Sequence, residues 1–356
     1  MFRSIDDQRE WKSVIDEFES RDFYHTWDFH KISECNGEGK PLLLLYEGDE
    51  CQIAWPLLLR TFYFEGELLR DASSAYGYPG PLFRGEVSAD DRETWTQEIR
   101  NWCRDHRVVS IFSRMNPLID SCWTIEELGN IVVKGITIPI DLRVSEDLQR
   151  ESFRSSLKRG VNKLSKQGAT CVELDPAEHL ETFIRLYEST MDAREARECF
   201  YFNRDYYERL FSAEDFTSRL YGVIYEGQVV CAGIFVFTGK IVQYHLGGTD
   251  KDYYRLAPSK LLFDQVRMDA SKRGMEWFML GGGLGSEDDQ LLYFKAGFSK
   301  LKLPFRVANI IIDTAAFERL KNRADRLAEA SGLPIDPEFF PCYRAVPDTI
   351  LPYRPA

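Results

Sequence analysis

In FKAGF (294–298) a lysine stands between two aromatic residues, a few positions beyond the three glycines of FMLGGG (278–283). The bland reading of Lys295 is a helix ending, with Gly297 as the stop and the aromatics in the core. The other is a cation brought beside a substrate by the glycine turn. The glycines lack dinucleotide-loop spacing and no Gly-Lys-Ser/Thr follows, so a nucleotide cradle is not expected there. The acidic residues of SEDDQ suit the start of the short helix that carries Lys295.

Three further stretches hold chemistry-bearing side chains. QRESFRSSLKRGVNKLSKQG (149–168) reads as one basic helix in which Arg150, Arg154 and Lys158 recur every four residues, with Arg159 and Lys163 beside them. That stripe suits phosphate contact, or else is an ordinary solvated face. In YFNRDYYERL (201–210), Arg204 sits among aromatics, where a guanidinium can grip a phosphate or stack on a base. The same residues also read as a helix start capped by Asn203. In IVQYHLGGTDKDYYRLAPSKLL (241–262) a strand leads through a polar loop into a helix, and His245 is either a general base or a hydrogen-bonded strand residue.

The elements that position these groups follow one pattern written twice. LLLLYEGDECQIAWPLLL (42–59) and LYGVIYEGQVVCAGIFVF (220–237) each read as an antiparallel hairpin with a Gly-containing turn. Each is followed by further strand-like residues, a helix (90–107 and 258–274) and another strand (108–115 and 275–283). The expected fold class is α/β (α+β), with two tandem domains, each a mixed, mostly antiparallel sheet flanked by helices. ITIPIDL (136–142) reads as the strand that closes the first half. The expected division is 1–145 and 146–314, the second carrying the site. Ser145 would cap the basic helix, and a helix at 315–331 precedes a proline-rich tail.

The 356 residues suffice for two cores, and a net charge of −12 removes any global pull toward nucleic acid or anionic lipid. A polyanion site must therefore be local. Eight cysteines without Cys-x-x-Cys spacing indicate reduced, mostly buried thiols rather than a disulfide framework. His25 and His30 are not spaced for a metal on one helical face. No apolar run reaches membrane-spanning length and the N-terminus lacks a signal-peptide core, so a soluble cytoplasmic protein is expected.

SSAYGYPGP (73–81), the basic helix ending Lys166-Gln167-Gly168, YHLGGT (244–249) and the pairing of FMLGGG with FKAGF together resemble the Fem family. These are the aminoacyltransferases of peptidoglycan interpeptide bridges, tandem versions of the GCN5-related N-acetyltransferase (GNAT) fold. The likeness spans roughly residues 20–315. It implies acyl transfer from aminoacyl-tRNA to an amine of a UDP-linked or lipid-linked cell-envelope precursor, with no tightly bound cofactor. It also implies that Lys295 stabilises the tetrahedral oxyanion, that Phe294, Arg204, Tyr244, Tyr76 and Tyr78 contact substrate, and that the 315–331 helix packs back on the first domain. Arg154, Lys158, Arg159 and Lys163 are the expected phosphate or RNA contacts.

Two departures stand out. Leu82-Phe83-Arg84 follows Gly80-Pro81 where members often carry an acid. Pro258 takes the first glycine position of the GNAT pyrophosphate loop, so one N–H donor is missing. The alternative donor is acyl-CoA, serving an N-acyltransferase of amino sugars or polysaccharide precursors.

Overall fold

A computed structural model describes residues 1–332, 334 and 336–352. The described chain forms two compact units. One takes Met1–Phe18, Tyr24–Lys134 and the described residues from Phe305 on, and the other Glu19–Phe23 and Gly135–Pro304.

In the first unit both hairpin arms are long strands, Lys40–Glu47 and Cys51–Phe64, paired antiparallel from Lys40↔Leu59 to Glu47↔Gln52. Phe2–Ile5 flanks one side and Glu67–Ser73 the other. The capped helix Ala89–Asp105 then leads to Val108–Arg114, which lies parallel to Glu67–Ser73. Trp55, Trp95, Ile99 and Ile111 fill the core between sheet and helix. The helix Thr314–Ser331 packs Phe317, Leu320, Ala324 and Ala328 against Phe62, Leu69 and Val109. Within the tail, Tyr343 and Arg344 both donate to the fully buried carboxylate of Asp71. Among the described residues of the tail, regular structure is limited to the short turn Cys342–Arg344 and the Leu351–Pro352 bridge, and Pro355 lies outside the described residues.

The second unit repeats this order. Thr170–Leu174, Thr217–Tyr225, Gln228–Thr238 and Ile241–Thr249 are successive antiparallel neighbours. The helix Ser259–Lys272 then leads to Trp277–Met279, parallel to Ile241–Thr249. In both sheets three antiparallel steps precede one parallel step made across a helix, so the echo read in the sequence is a repeated topology.

The sixth strand departs from expectation. Pro139–Asp141 pairs antiparallel with Trp277–Met279 in the second sheet, rather than closing the first. The first sheet instead receives Leu303–Ile311, whose Val307–Ile311 segment pairs with Ser110–Arg114. Both divisions therefore fall earlier than 145/146 and 314/315, because strand pairing and not chain order decides which sheet a segment completes.

The basic helix is likewise two helices, Glu146–Glu151 and Ser155–Lys166. Phe153 is buried edge-on against Phe298, and the Arg154 N–H donates to the Gly297 carbonyl at 2.8 Å. Arg154 is thereby held extended, with ψ 138°, and the helix restarts after it. The four-residue stripe of Arg150, Arg154 and Lys158 does not exist as one face. Cysteine burial was also overstated: all eight thiols are free, but only Cys51, Cys103 and Cys231 are buried.

Candidate active site

The site begins where two parallel strands part. Ile241–Thr249 pairs with Trp277–Met279 only from Ile241 to Gln243, after which the shorter strand turns away through Leu280–Gly283. The register against Gln228–Thr238 slips at the same place: Phe235 faces Tyr244 and Ile234 faces Leu246, so His245 is the extra residue of a bulge. Bulges of this kind re-aim side chains beside functional sites. The glycines serve the turn. Gly281 takes φ +77°, and a Cβ on Gly283 would lie 2.0 Å from the Glu287 carbonyl oxygen.

The short helix Gln290–Lys295 then folds Lys295 back toward the gap. Asp289 caps it, accepting N–H bonds from Leu284 (3.0 Å) and Leu292 (2.8 Å). Burial raises the Asp289 pKa, but those backbone donors outweigh it and hold the carboxyl below its ordinary range. Lys295 is 6% exposed, its Nζ donating to the Gly282 carbonyl at 2.7 Å and lying 5.7 Å from the Tyr244 ring centroid. Burial lowers its pKa from 10.5 to about 7, with Asp289 opposing the shift and Arg194 adding to it. An ammonium has three donors, so two remain after the Gly282 bond. The helix-ending reading of Lys295 holds as geometry, since it closes the last turn, but a solvated cap would not be buried in this way.

The other expected residues fall out unevenly. Tyr244 packs against Phe263 (4.7 Å) and Phe235 (5.6 Å), and burial drives its hydroxyl far above the usual phenol range. Phe294 is half-buried and packs on Phe263 and Phe298 (5.7 and 5.4 Å), so it is tied into the core as well as flanking the lysine. Arg204 begins the helix Arg204–Ser212 behind an Asn203 cap. Its exposed guanidinium is met by Glu181 and Glu208. Tyr76 and Tyr78 belong to the first unit. Tyr76 is 53% exposed beneath the Arg114 guanidinium, and Tyr78 packs edge-on against Tyr24 and Phe305.

His245 does not suit a base. Its Nε2 lies 2.7 Å from the Tyr206 hydroxyl, its ring meets Phe23 edge-on at 5.4 Å, and burial lowers its pKa to about 3. A ring so weakly basic stays neutral at pH 7 and takes a proton poorly. His245→Gln, which keeps a polar partner for Tyr206, is expected to retain activity within about tenfold, well short of the ~10²–10⁴ a general base supplies. A larger loss, together with disappearance of an acidic limb in the pH–rate profile, would restore the base assignment.

At the start of the helix Ser259–Lys272, Ala257 is left-handed (φ 49°, ψ 57°) and Pro258 is the cap. The N–H groups of Lys260 and Leu261 turn back to the carbonyls of Ala257 (3.1 Å) and Pro258 (3.0 Å). Few free donors remain for a pyrophosphate.

Reasoning on the sequence missed Tyr206 as the partner of His245, and the buried charges behind the site. Arg267 and Asp264 are 1% and 2% exposed and bonded to each other at 2.8 Å. Arg150 also donates to Asp264, and Gln149 accepts from Arg267 at 2.6 Å. The available signal was Asp264 and Arg267 spaced i,i+3 among the apolar residues of the helix's inward face.

Residues 151–291, which include the parted strands, match the acetyltransferase (GNAT) domain family. That match makes the protein an acyltransferase with a GNAT-class domain at 151–291. The chain as a whole has the FemAB-like tandem GNAT fold. FemX superposes with a TM-score of 0.67 at 12% identity, covering 89% of this chain and 99% of FemX. The C-terminal domain of a putative lysylphosphatidylglycerol synthetase from Agrobacterium fabrum gives 0.56 at 14% identity, covering 90% and 98%. L-PGS from Bacillus licheniformis gives 0.52 at 12%, covering 87% and 93%. No curated protein sequence matches the chain. Among the described residues, no helix is long and apolar enough to cross a membrane.

Proposed function

We propose that this acyltransferase moves an aminoacyl group from aminoacyl-tRNA to an amine of a UDP-linked or lipid-linked cell-envelope precursor on the cytoplasmic side. Lys295 would donate to the carbonyl oxygen as negative charge develops on it, the Gly282 bond holding the ammonium in place beforehand. The neighbours named FemX and L-PGS support the reading at the level of fold.

The observation that carries the RNA donor is a set of cations without acids. Arg154, Lys158, Arg159, Lys163 and Lys166 lie on or beside the helix Ser155–Lys166, Lys260 lies against it at Gly160, and Lys302 is near its start. Among the described residues none has a carboxylate oxygen within 4.0 Å. Arginines elsewhere in the same unit do: Arg143 with Asp141, Arg209 with Asp205, and Arg219 and Arg273 with Glu173. In a chain of net −12, unneutralised charge gathered along one helix is what a phosphate backbone needs.

Reversing Lys163 and Lys166 to glutamate is expected to weaken tRNA binding by at least about tenfold at low salt. It should also make the slope of log K against log[salt] shallower by roughly 1–2. An unchanged slope would remove the helix from the RNA site. The GNAT domain match favours acyl-CoA as second donor. Calorimetry separates the two: saturable acetyl-CoA binding supports the second reading, and its absence with charged-tRNA turnover supports the first.

A further inference from the structure

Beside the helix Gln290–Lys295 is an open cavity of about 250 Å³ whose lining does not include Lys295. Ile136, Leu292 and Ala296 give it an apolar floor, and Arg154, Tyr293 and Lys302 stand around it. The Arg154 guanidinium carbon lies 3.7 Å from the Tyr293 ring centroid, and its Nη2 donates to the Tyr293 carbonyl at 3.1 Å. The backbone bond from Arg154 to Gly297 fixes the same corner. Tyr293 is nevertheless 59% exposed, leaving much of its ring to solvent. Such exposure of a large aromatic, backed by a rigid guanidinium that keeps most of its five donors, is a stacking platform beside a phosphate contact. Asp288 on the rim is an acceptor suited to a ribose hydroxyl or a base amino group. The volume is below the roughly 300–1,000 Å³ of sites for drug-sized ligands, so it fits one ring system rather than a whole CoA.

We propose that Arg154, Tyr293 and Lys302 form a subsite for one unpaired nucleotide of the donor RNA, its base on Tyr293 and its phosphate between the two cations. This rests on the RNA-donor reading above. Residues two apart on a helix do not face each other. The nucleotide on Tyr293 is therefore upstream of the ester-bearing end, and the single strand passes round the helix tip toward Lys295.

The test is fluorescence anisotropy of the full chain with two short RNA hairpins, one blunt and one with a single-stranded 3′ overhang ending in adenosine. The wild type should bind the overhang more tightly. Tyr293→Ala should weaken overhang binding about tenfold and leave the blunt hairpin alone, while Tyr293→Phe behaves as wild type. Arg154→Ala and Lys302→Ala should weaken the overhang more than the blunt form. If both hairpins bind equally and Lys163→Glu/Lys166→Glu weakens both, the RNA-donor reading stands and the subsite is overturned. If neither binds, the donor reading fails and takes the subsite with it.

Discussion

Replacing Lys295 by methionine is expected to slow acyl transfer by about 10²–10³-fold, the usual cost of removing one preorganised donor to an oxyanion. The second unit should stay folded, because the buried ammonium is a burden on it. In the unfolded chain the amine titrates near 10.5, and in the folded one near 7. Between those values the unfolded state binds more protons, so wild-type stability should rise with pH across that window. In Lys295→Met this rise should disappear, and melting at pH 7 should match or exceed the wild type. Thermal melts beside single-turnover rates check both halves. Comparable losses of rate and stability would make Lys295 a structural residue instead.

The second large effect concerns the support behind the site. Asp264→Ala strands Arg267 without its carboxylate, with Arg267 only 1% exposed, and takes the partner from Arg150. Breaking a buried pair from one side costs about 3–5 kcal/mol. For a unit of this size that is a fall in melting temperature of roughly 10 °C. The Gln149–Arg267 bond holds the short helix Glu146–Glu151 to Ser259–Lys272, so the loosening should spread to Phe153 and the corner at Arg154. The double variant Asp264→Leu/Arg267→Met should recover much of the loss, since no fully buried charge is then left unpaired and Arg150, 31% exposed, keeps solvent and its bond to Asn162. Urea melts of the three proteins decide it, and equal destabilisation of single and double variants would contradict the charge account.

Much of this was legible in the residues. The twin hairpins and the helices after them announced themselves by period and turn chemistry, and Asn203 by its place ahead of an aromatic helix. What stayed hidden depends on contacts distant in sequence. Nothing local in ITIPIDL says that its strand will complete the second sheet, or in VANIIID (307–313), most of which lies in the strand Leu303–Ile311, that its strand will complete the first. The break at Ser152–Arg154 is set by Phe298 and the Gly297 carbonyl, far along the chain, so a continuous helical period concealed it. The same holds for chemistry. Spacing left Lys295 as a helix ending or a substrate cation and the resemblance to the Fem family picked the second, but its depressed pKa comes from burial beside Tyr244 and Gly282. His245 read as either a base or a hydrogen-bonded strand residue, and only the bulge that sets it against Tyr206 and Phe23 favours the second.

The central claim is that the amine of Lys295 acts in its charged form, and the pH dependence of kcat/KM tests it most directly, because that parameter reports the free enzyme. An arginine stays cationic throughout the accessible range, and ionisation of the acceptor amine affects both proteins alike. Dividing wild-type by Lys295→Arg values therefore isolates position 295. The ratio should be level in acid and fall as pH rises through about 7. A ratio that rises through the same range would make the neutral lysine the working form, as a base, and a flat one would remove its ionisation from the reaction.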